Sequence, residues 1–558
     1  MLAILAVTLL YPIGLTIRGG FADDVVTGEG FTLRHVALVF RDPVLREGLV
    51  NAFLIATFTT LLCVLIGLPL AVLAARYHYP LKGVWNAAIL VPLILPPFVG
   101  AVGMKAIFGR DGALNALLGT EWDVLGEARF WGVVVALALH LYPIIYLNAT
   151  AALANLDPAL DQAGQICGAG AIKRFVSITL PLIRPGLFAG GAIVYIWSFT
   201  ELGTPLMFDY YNVTSVQIFN GIKEVNASAQ PFALTFVLLA FSVLFYLIGK
   251  TVLGKPGHAS SLRAFSSGGE RKLKPLPGAM ASLAFALVCF LAVTPHLGVI
   301  FTSLAPPGGW RGTVLPTEWT LDNYHNALRH PLAFGSISNS LMLATAASVL
   351  NIIVGIAIGY LLVRTRVYGR TLLDSLAMLP LAVPGLVMAF GYVAITLRWP
   401  FGRGDPLEGW IDVVGSNPNP IPLLIIAYAV RRLPYIVRAT VAGLEQIGVE
   451  MEEAASIFGA RTMRKLRLVV IPLIAANLMA GGLLVFSFSM LEVSDSLILA
   501  QQERHYPITK AIYTFSYRLG DGMAIASSMG VWGMLLLGVT LIGASVMMGK
   551  SLGAVFRA

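Results

Sequence analysis

The stretch MEEAASIFGARTMRKLRLVVIPL, residues 451–473, is a short polar and basic segment between two long apolar runs. A membrane chain has to leave the bilayer here, because the four Lys and Arg residues between positions 461 and 467 cannot lie cheaply in hydrocarbon. The segment opens with good helix formers, reaches Gly459, continues with basic residues at helical spacing and closes on Ile471-Pro472. This order predicts a helix–glycine–helix element and not a passive loop.

Nearly the same layout occurs earlier in the chain, in DQAGQICGAGAIKRFVSITLP at residues 161–181. The glycine and the closing proline have the same spacing in both copies, Gly168 to Pro181 and Gly459 to Pro472. An internal repeat of this length indicates two related domains joined head to tail, and recurring prolines predict matched kinks. The flanking regions match as follows: Asn51 with Asn339, Arg76 with Arg364, Pro92 and Pro96 with Pro380 and Pro384, Pro143 with Pro434, and Glu201 with Glu492.

The composition indicates a membrane protein. Hydrophobic residues make up 57% and charged residues 12%, whereas a soluble domain has about 25% charged residues. Several apolar runs exceed the roughly 20 residues with which a helix spans a bilayer, and the alternating pattern of a β-barrel is absent. Because Met1 leads into an apolar run without a preceding basic residue, we expect no cleaved signal peptide and a true start further upstream.

The sequence predicts an all-α polytopic membrane protein with about twelve transmembrane helices. Hydropathy places them at about 2–17, 49–75, 84–108, 131–151, 184–206, 231–253, 279–303, 336–363, 371–397, 420–440, 474–498 and 524–549.

The repeat predicts a first half at residues 1–253, a linker at 254–278 and a second half at 279–558. Six helices is an even number, so the halves are parallel repeats related by an axis along the membrane normal. Strongly basic short loops place both repeated elements in the cytoplasm and account for the net charge of +9. The Gly/Ser/Pro/Lys-rich linker is typical of a flexible tether; a regulatory or lipid-binding patch is the alternative.

The second element, with Glu453-Ala454-Ala455, Gly459 and Ile471-Pro472, resembles the EAA loop of ATP-binding-cassette (ABC) importer permeases. The resemblance covers essentially the whole chain, once per half, and implies the type I ABC importer permease fold. In that family the loop forms a coupling helix that docks in a groove on an ATPase subunit. The resemblance implies coupling roles for two sets of residues: Glu452, Glu453, Ala454, Ala455, Gly459 and Pro472 in the second element, and Asp161, Gln162, Ala163, Gly168 and Pro181 in the first.

The same resemblance implies the partners and the location. We expect two copies of an ABC ATPase subunit, a periplasmic or extracellular solute-binding protein and the lipid bilayer as partners, and no nucleic acid. We expect a non-enzymatic transport subunit without a cofactor of its own, since ATP and Mg²⁺ belong to the ATPase, in the bacterial inner membrane with both loops cytoplasmic. The first element has Gln162 where the motif has Glu and Gly164 where it has the second Ala, so the two ATPase contacts should be unequal.

The fused form resembles the ferric-iron permeases, in the stretches 201–205 and 506–512. Fused thiamine and 2-aminoethylphosphonate permeases are the alternatives. A secondary transporter driven by an ion gradient is a rival from another class, but it does not explain two EAA-like elements. A membrane-embedded enzyme lacks a nucleophile, base or metal constellation, and no His/Cys/Asp/Glu cluster with metal-ligand spacing is visible.

Glu201, Glu492 and Asp495 are the candidates for a substrate path, because an ionisable residue inside a span is a functional hypothesis by default. Repeat symmetry would place the two glutamates across the central axis, where a cationic cargo could be attracted. The alternative is that headgroups or helix-end donors satisfy both side chains.

His140 and two neighbouring arginines are further polar residues inside spans. His140 aligns with Arg431 in the repeat, and Arg432 follows. Long cations near the end of a span usually snorkel or cap the helix, so we expect this role for them and no contact with cargo.

Overall fold

The computed structural model describes residues 1–23, 30–94, 96–123, 125, 128–224, 228–253, 271–402, 404–414 and 418–547. Helices dominate, because a helix satisfies its own backbone hydrogen bonds in hydrocarbon. The first half contains α1 (Leu2–Leu5), α2 (Tyr11–Phe21), α3 (Arg34–Arg41), α4 (Pro43–Arg76), α5 (Lys82–Ala88), α6 (Pro97–Phe108), α7 (Ala113–Leu118), α8 (Arg129–Ala154), α9 (Pro158–Ile166), α10 (Ala171–Arg174), α11 (Leu180–Phe199), α12 (Gly203–Met207), α13 (Thr214–Asn220) and α14 (Gln230–Leu253).

The second half repeats this succession. It contains α15 (Pro275–Leu304), α16 (Asp322–Arg329), α17 (Pro331–Arg364), α18 (Arg370–Met378), α19 (Gly385–Thr396), α20 (Ile421–Glu445), α21 (Glu450–Ile457), α22 (Thr462–Lys465), α23 (Ile471–Leu473), α24 (Ala475–Met490), α25 (Ser494–Leu499), α26 (Ile508–Ser516) and α27 (Gly522–Met547). Short π-helical segments (Ala6–Leu10, Phe175–Thr179, Leu466–Val470) and 3₁₀ segments (Val91–Ile94, Gly221–Glu224, Leu379–Leu381, Glu503–His505) lie between them.

Among the described residues, eight helices are long and apolar enough to cross a membrane, and up to eleven spans result if each bent pair of helices counts as one. The remaining predicted span, 420–440, corresponds to α20, which has 25 residues but carries three arginines. The structure therefore gives a helical protein with eight to eleven candidate spans, where the sequence predicted about twelve.

Matched prolines bend the chain at equivalent places, as predicted. The segments Lys82–Leu93 and Pro97–Leu118 meet at 99°, and Arg370–Leu381 and Gly385–Thr396 meet at 103°. Pro96 and Pro384 stand directly before α6 and α19 in extended conformation. A proline disfavours the helical conformation of the residue before it and donates no backbone hydrogen bond, so each span is broken there.

The first long helix of each half packs against the other half. α2 lies against α14 of its own half and α19 of the second half, and α15 lies against α27 of its own half and α6 of the first half. A Cβ on Gly391 would lie 2.9 Å from Pro12, and a Cβ on Gly103 would overlap the Pro295 carbonyl. Small residues let helix backbones approach closely in membranes. These two equivalent glycines therefore interlock the halves.

The buried core runs through both halves, and a smaller cluster joins α17, α20 and α24 with Leu5 of α1. Exposed large apolar side chains such as Leu65, Leu283 and Val539 cover the outward faces, as expected for surfaces that face lipid. Residues 254–270 of the predicted linker lie outside the described residues. The rest of it forms β2 (Arg271–Lys272), which pairs in parallel with β1 (Tyr77–His78), and the start of α15.

Candidate coupling loops and central charge cluster

Both repeated elements end their first helix at a glycine in the left-handed conformation. Gly459, after α21, has a φ of 79°, and Gly168, after α9, has a φ of 77°. The amide of Ala460 donates to the Ala455 carbonyl at 3.0 Å, and the same bond closes the first copy. A Cβ on either glycine would meet nothing within 4 Å. The backbone angle therefore requires glycine here, and lack of space for a side chain is not the reason.

The outer face of each element is exposed and partly apolar. Ile166 and Ile457 occupy equivalent positions and are almost fully exposed, as is Phe458. The EAA residues Glu453 and Ala454, together with Gln162 and Ala163 of the first element, are also exposed, and Ala455 is half-buried. Large apolar side chains exposed beside polar ones at the end of a helix are typical of a docking surface.

Glu452 points the opposite way, into the protein. Its carboxylate accepts from Arg364 Nε at 2.6 Å and from the Tyr360 hydroxyl at 3.2 Å. Arg364 also donates from Nη2 to the carbonyls of Leu444 and Ile447, at 2.9 and 2.8 Å. This inner clamp, the Arg364–Glu452 ion pair, ties α21 to the last residue of α17 and to the end of α20. The motif alone assigned both glutamates to docking; the structure leaves only Glu453 on the outer face.

The equivalent pair in the first half is looser. Arg76 and Asp161 lie 3.8 Å apart, with side chains 29% and 32% exposed, against 9% and 7% for Arg364 and Glu452. Arg76 donates instead to Thr179 Oγ1 at 2.6 Å, and Asp161 accepts from Arg174 Nε at 3.2 Å. From the sequence, Arg76 and Arg364 were used only to align the repeat and to count basic loop residues, and these ion pairs were not predicted. The match between the two arginines was the one sequence feature that could have indicated them.

The two elements also enter the membrane differently. In the second half, Thr462–Leu473, which contains Pro472, meets Ala475–Met490 at 78°. In the first half, Ala171–Phe199 counts as one span of 29 residues with Pro181 in its interior. The chain therefore bends sharply just after Pro472 in the second copy, whereas the first copy continues past Pro181 as one span.

A buried charge cluster lies midway along α20. Glu492, in the turn between α24 and α25, forms ion pairs with Arg431 Nε at 3.4 Å and with Arg432 Nη2. Asp495 is almost fully buried and lies 3.8 Å from Arg431 Nη1. A Cβ on Gly385 would overlap the Arg431 guanidinium. Arg432 also donates from Nη2 to the Phe488 carbonyl in the last turn of α24 at 3.2 Å. The expectation that it caps a helix is therefore confirmed, but it does so beside the buried Glu492 carboxylate and does not snorkel toward the end of α20.

Glu201 belongs to the first half and is satisfied by neutral donors. Its carboxylate accepts from Trp197 Nε1 at 3.1 Å and from the Thr204 amide and hydroxyl at 3.3 Å each. A Cβ on Gly203 would lie 3.1 Å from Val493, so the Glu201 and Glu492 turns meet where the halves touch. Glu201 thus has the helix-end donors considered as the alternative, while Glu492 and Asp495 face arginines.

A cavity of about 460 Å³ between the halves lies at the far end of the bundle from the coupling loops. Arg129, at the start of α8, lines it, whereas α9 follows the end of this 26-residue helix. The Lys105 ammonium and the Asp209 carboxylate, 2.9 Å apart, lie in its wall. Charged residues of both signs from both halves surround it: Lys105, Arg110, Asp111, Asp123, Arg129, Asp209 and Arg311.

Comparisons with known proteins identify relatives. The family model described as "Binding-protein-dependent transport system inner membrane component" matches residues 67–255 and 335–548. Ferric transport system permease protein FbpB of Actinobacillus pleuropneumoniae is 26% identical, over 86% of this chain and 68% of the relative. Putative ferric transport system permease protein FbpB 1 of Haemophilus influenzae is 24% identical, over 86% and 74%. Molybdenum transport system permease protein ModB of Escherichia coli is 32% identical, over 28% and 71%.

The inner clamp predicts unequal mobility of the two elements. Arg364→Ala leaves the Glu452 carboxylate buried without its cation, which costs about 3–5 kcal/mol. We expect much faster hydrogen exchange in residues 450–457. The matched variant Arg76→Ala removes a partly exposed pair worth about 1 kcal/mol or less, so exchange in α9 should change little. Equal acceleration in both elements would contradict the asymmetry.

The central cluster predicts different costs for its two glutamates. Glu492→Gln leaves Arg431 and Arg432 with one acid, and we expect a loss of about 3–5 kcal/mol in unfolding free energy. Glu201→Gln keeps one acceptor oxygen, so Thr204 keeps its partner while Trp197, which is partly exposed, loses one hydrogen bond, and we expect a loss of about 1 kcal/mol. Denaturation midpoints of the two variants in detergent measure the difference. A Glu201 variant as unstable as the Glu492 variant would contradict this assignment.

Proposed function

Because the chain belongs to the family of binding-protein-dependent transport system inner membrane components, we propose that it supplies both membrane halves of an ABC importer. Its two coupling elements, 161–181 and 452–472, dock on two copies of an ABC ATPase on the cytoplasmic side, and a solute-binding protein delivers cargo at the opposite end. The observation that carries this proposal is the shared geometry of the elements, each with a left-handed glycine and an exposed isoleucine. The chain is a transport subunit and not an enzyme.

The inner clamp can transmit a displacement of the second element to the membrane-spanning helices. When the ATPase pair closes, a push on α21 reaches α17 through Glu452 and Arg364, and reaches the end of α20 through the Leu444 and Ile447 carbonyls. α17 spans the membrane as a continuous helix of 34 residues, so the motion arrives as a rigid-body rotation. The far cavity opens or closes as the halves rock, which is alternating access.

Ferric iron is the cargo that we propose. Similarity to two ferric transport permeases over 86% of the chain supports it. Glu201 accepts hydrogen bonds from neutral donors, so among the described residues no ion pair compensates its negative charge, and this charge would attract a cation. Arg431 and Arg432 compensate the charges of Glu492 and Asp495. These two acids are therefore less suited than Glu201 to attract a cation.

An oxyanion is the second candidate cargo. Arg431 Nη1 and Arg432 Nε are buried and have no hydrogen-bond partner among the described residues. Guanidinium groups bind oxyanions with paired, charge-assisted hydrogen bonds. A molybdenum transport permease is among the similar proteins, and 2-aminoethylphosphonate, a zwitterion whose phosphonate is an oxyanion, is an alternative. Thiamine, which is a cation, is a further alternative cargo.

Uptake into proteoliposomes identifies the cargo. The chain is reconstituted with its partner ATPase and binding protein, and ATP-dependent uptake of ferric iron is compared with that of molybdate. We expect uptake of ferric iron, with ATP hydrolysis stimulated by the loaded binding protein. Uptake of molybdate alone would move the assignment to the oxyanion. Uptake driven by an ion gradient without the ATPase would overturn the ABC assignment.

Gly459→Asp tests coupling separately from cargo. The aspartate side chain fits at this position, because a Cβ there meets no atom within 4 Å. The left-handed backbone angle, however, strains a non-glycine residue by about 1–2 kcal/mol. We expect the docking turn to shift and ATP-driven uptake to fall about tenfold or more. Gly119→Asp is the matched control, since Gly119 ends α7 with a φ of 65° and open space around it. Normal uptake with Gly459→Asp would contradict the coupling role.

A further inference from the structure

The chain leaves the predicted linker through a run of three exposed cations. Arg271, Lys272 and Lys274 precede α15, and their side chains are exposed. The backbone at this place is held in position: Arg271–Lys272 pairs with Tyr77–His78, and the Leu273 amide donates to the His78 carbonyl at 3.1 Å. These cations therefore occupy a defined site and are not part of a free tether.

This cationic run lies on the same side of the membrane as the coupling elements. Arg76, the residue directly before β1, donates to Thr179 in the first coupling element. β1 and β2 are therefore next to that element. The two strands lie at the C-terminal end of α4, which has 34 residues. They are therefore a full helix length away from the end of the bundle that carries the 460 Å³ cavity.

A lipid-facing stripe of α15 begins directly after the cations. Five large apolar side chains on one face of the helix are exposed at helical spacing: Leu276, Met280, Leu283, Leu287 and Phe290. The opposite face of α15 is covered by the first half, because Ser282 donates to the Pro80 carbonyl at 2.7 Å and Phe285 stacks on Tyr79 with ring centroids 5.1 Å apart.

The neighbouring loop adds a second apolar wall at the same level. Leu81 and Val84, next to Pro80, are exposed. Acyl chains can therefore lie against Leu276 and Leu81 while the headgroup of the same lipid meets residues 271–274. An exposed apolar surface that ends in a row of cations is complementary to a lipid with acyl chains and a negatively charged headgroup.

We propose that Arg271, Lys272 and Lys274, with Leu276 and Leu81, form a binding site for an anionic phospholipid of the leaflet that faces the ATPase. Each cation near an anionic membrane surface contributes attraction, and the paired backbone keeps all three at the start of α15, beside the exposed apolar stripe. The lipid bridges the first-half loop and the start of the second half, so it stabilises the junction between the halves next to the first, more loosely held coupling element.

Bound lipid is measured by native mass spectrometry on the chain released from nanodiscs that contain phosphatidylcholine with phosphatidylglycerol. We expect retained phosphatidylglycerol on the natural chain. In the variant Arg271→Gln/Lys272→Gln/Lys274→Gln we expect the amount of retained phosphatidylglycerol to fall about tenfold or more. Equal retention in this variant, or equal retention of phosphatidylcholine by the natural chain, would overturn the proposal.

Two further variants separate charge from fold. Lys272→Arg/Lys274→Arg keeps the cations and should keep the lipid, even if the triple variant folds poorly. Arg366→Gln/Arg370→Gln removes exposed cations from the corresponding loop of the second half and should leave the amount of retained phosphatidylglycerol unchanged. If this variant also lost the lipid, the binding would be nonspecific attraction to surface cations, and the proposed site would be wrong. Inorganic phosphate should not displace the lipid, because it lacks acyl chains, and displacement would show a simple anion site.

Discussion

The ion pair of Arg364 and Glu452 is the contact through which a surface helix is joined to the membrane-spanning helices. A buried ion pair costs desolvation and is tolerated only when its remaining polar atoms are satisfied. Here Tyr360 and two backbone carbonyls supply those bonds. Because these partners come from the ends of α17 and α20, α21 cannot turn without moving both helices or leaving a buried charge. The clamp makes three helix ends one mechanical unit.

The two halves use the same parts with different stiffness. In the first half Asp161 is shared between Arg76 and Arg174, and these groups are partly exposed, so water can replace any of their bonds. The second half buries its pair and bends sharply after Pro472. The departure at Gln162 had predicted unequal docking; the clamps add a difference in how each loop is fixed to its own half. Under the coupling that we propose, a displacement of the loop would therefore be transmitted more directly in the second half than in the first.

Sequence could predict what depends on local pattern, and it missed what depends on contacts across long separations. Hydropathy located eight to eleven of the twelve predicted spans among the described residues. The prolines predicted the bends, and the repeated spacing marked Gly168 and Gly459, whose backbone angle favours glycine. The partner of Glu452 is 88 positions away in Arg364, and no periodicity connects them. Likewise nothing local distinguished Arg432 from a snorkelling cation, because its role depends on the buried carboxylate of Glu492, which another helix positions.

The charge cluster indicates where the halves can separate. All four groups of the buried network, on α20 and around the α24–α25 turn, belong to the second half, so they can move together without breaking an ion pair. Breaking one would cost about 3–5 kcal/mol, which is a large fraction of a protein's stability. The first half meets this network at Gly203, where a Cβ would lie 3.1 Å from the apolar Val493 side chain, and apolar packing can be exchanged at lower cost than an ion pair. In the alternating-access mechanism that we propose, the path opens between the Glu201 turn and the Glu492 turn, with Glu201 on one wall and the compensated cluster on the other.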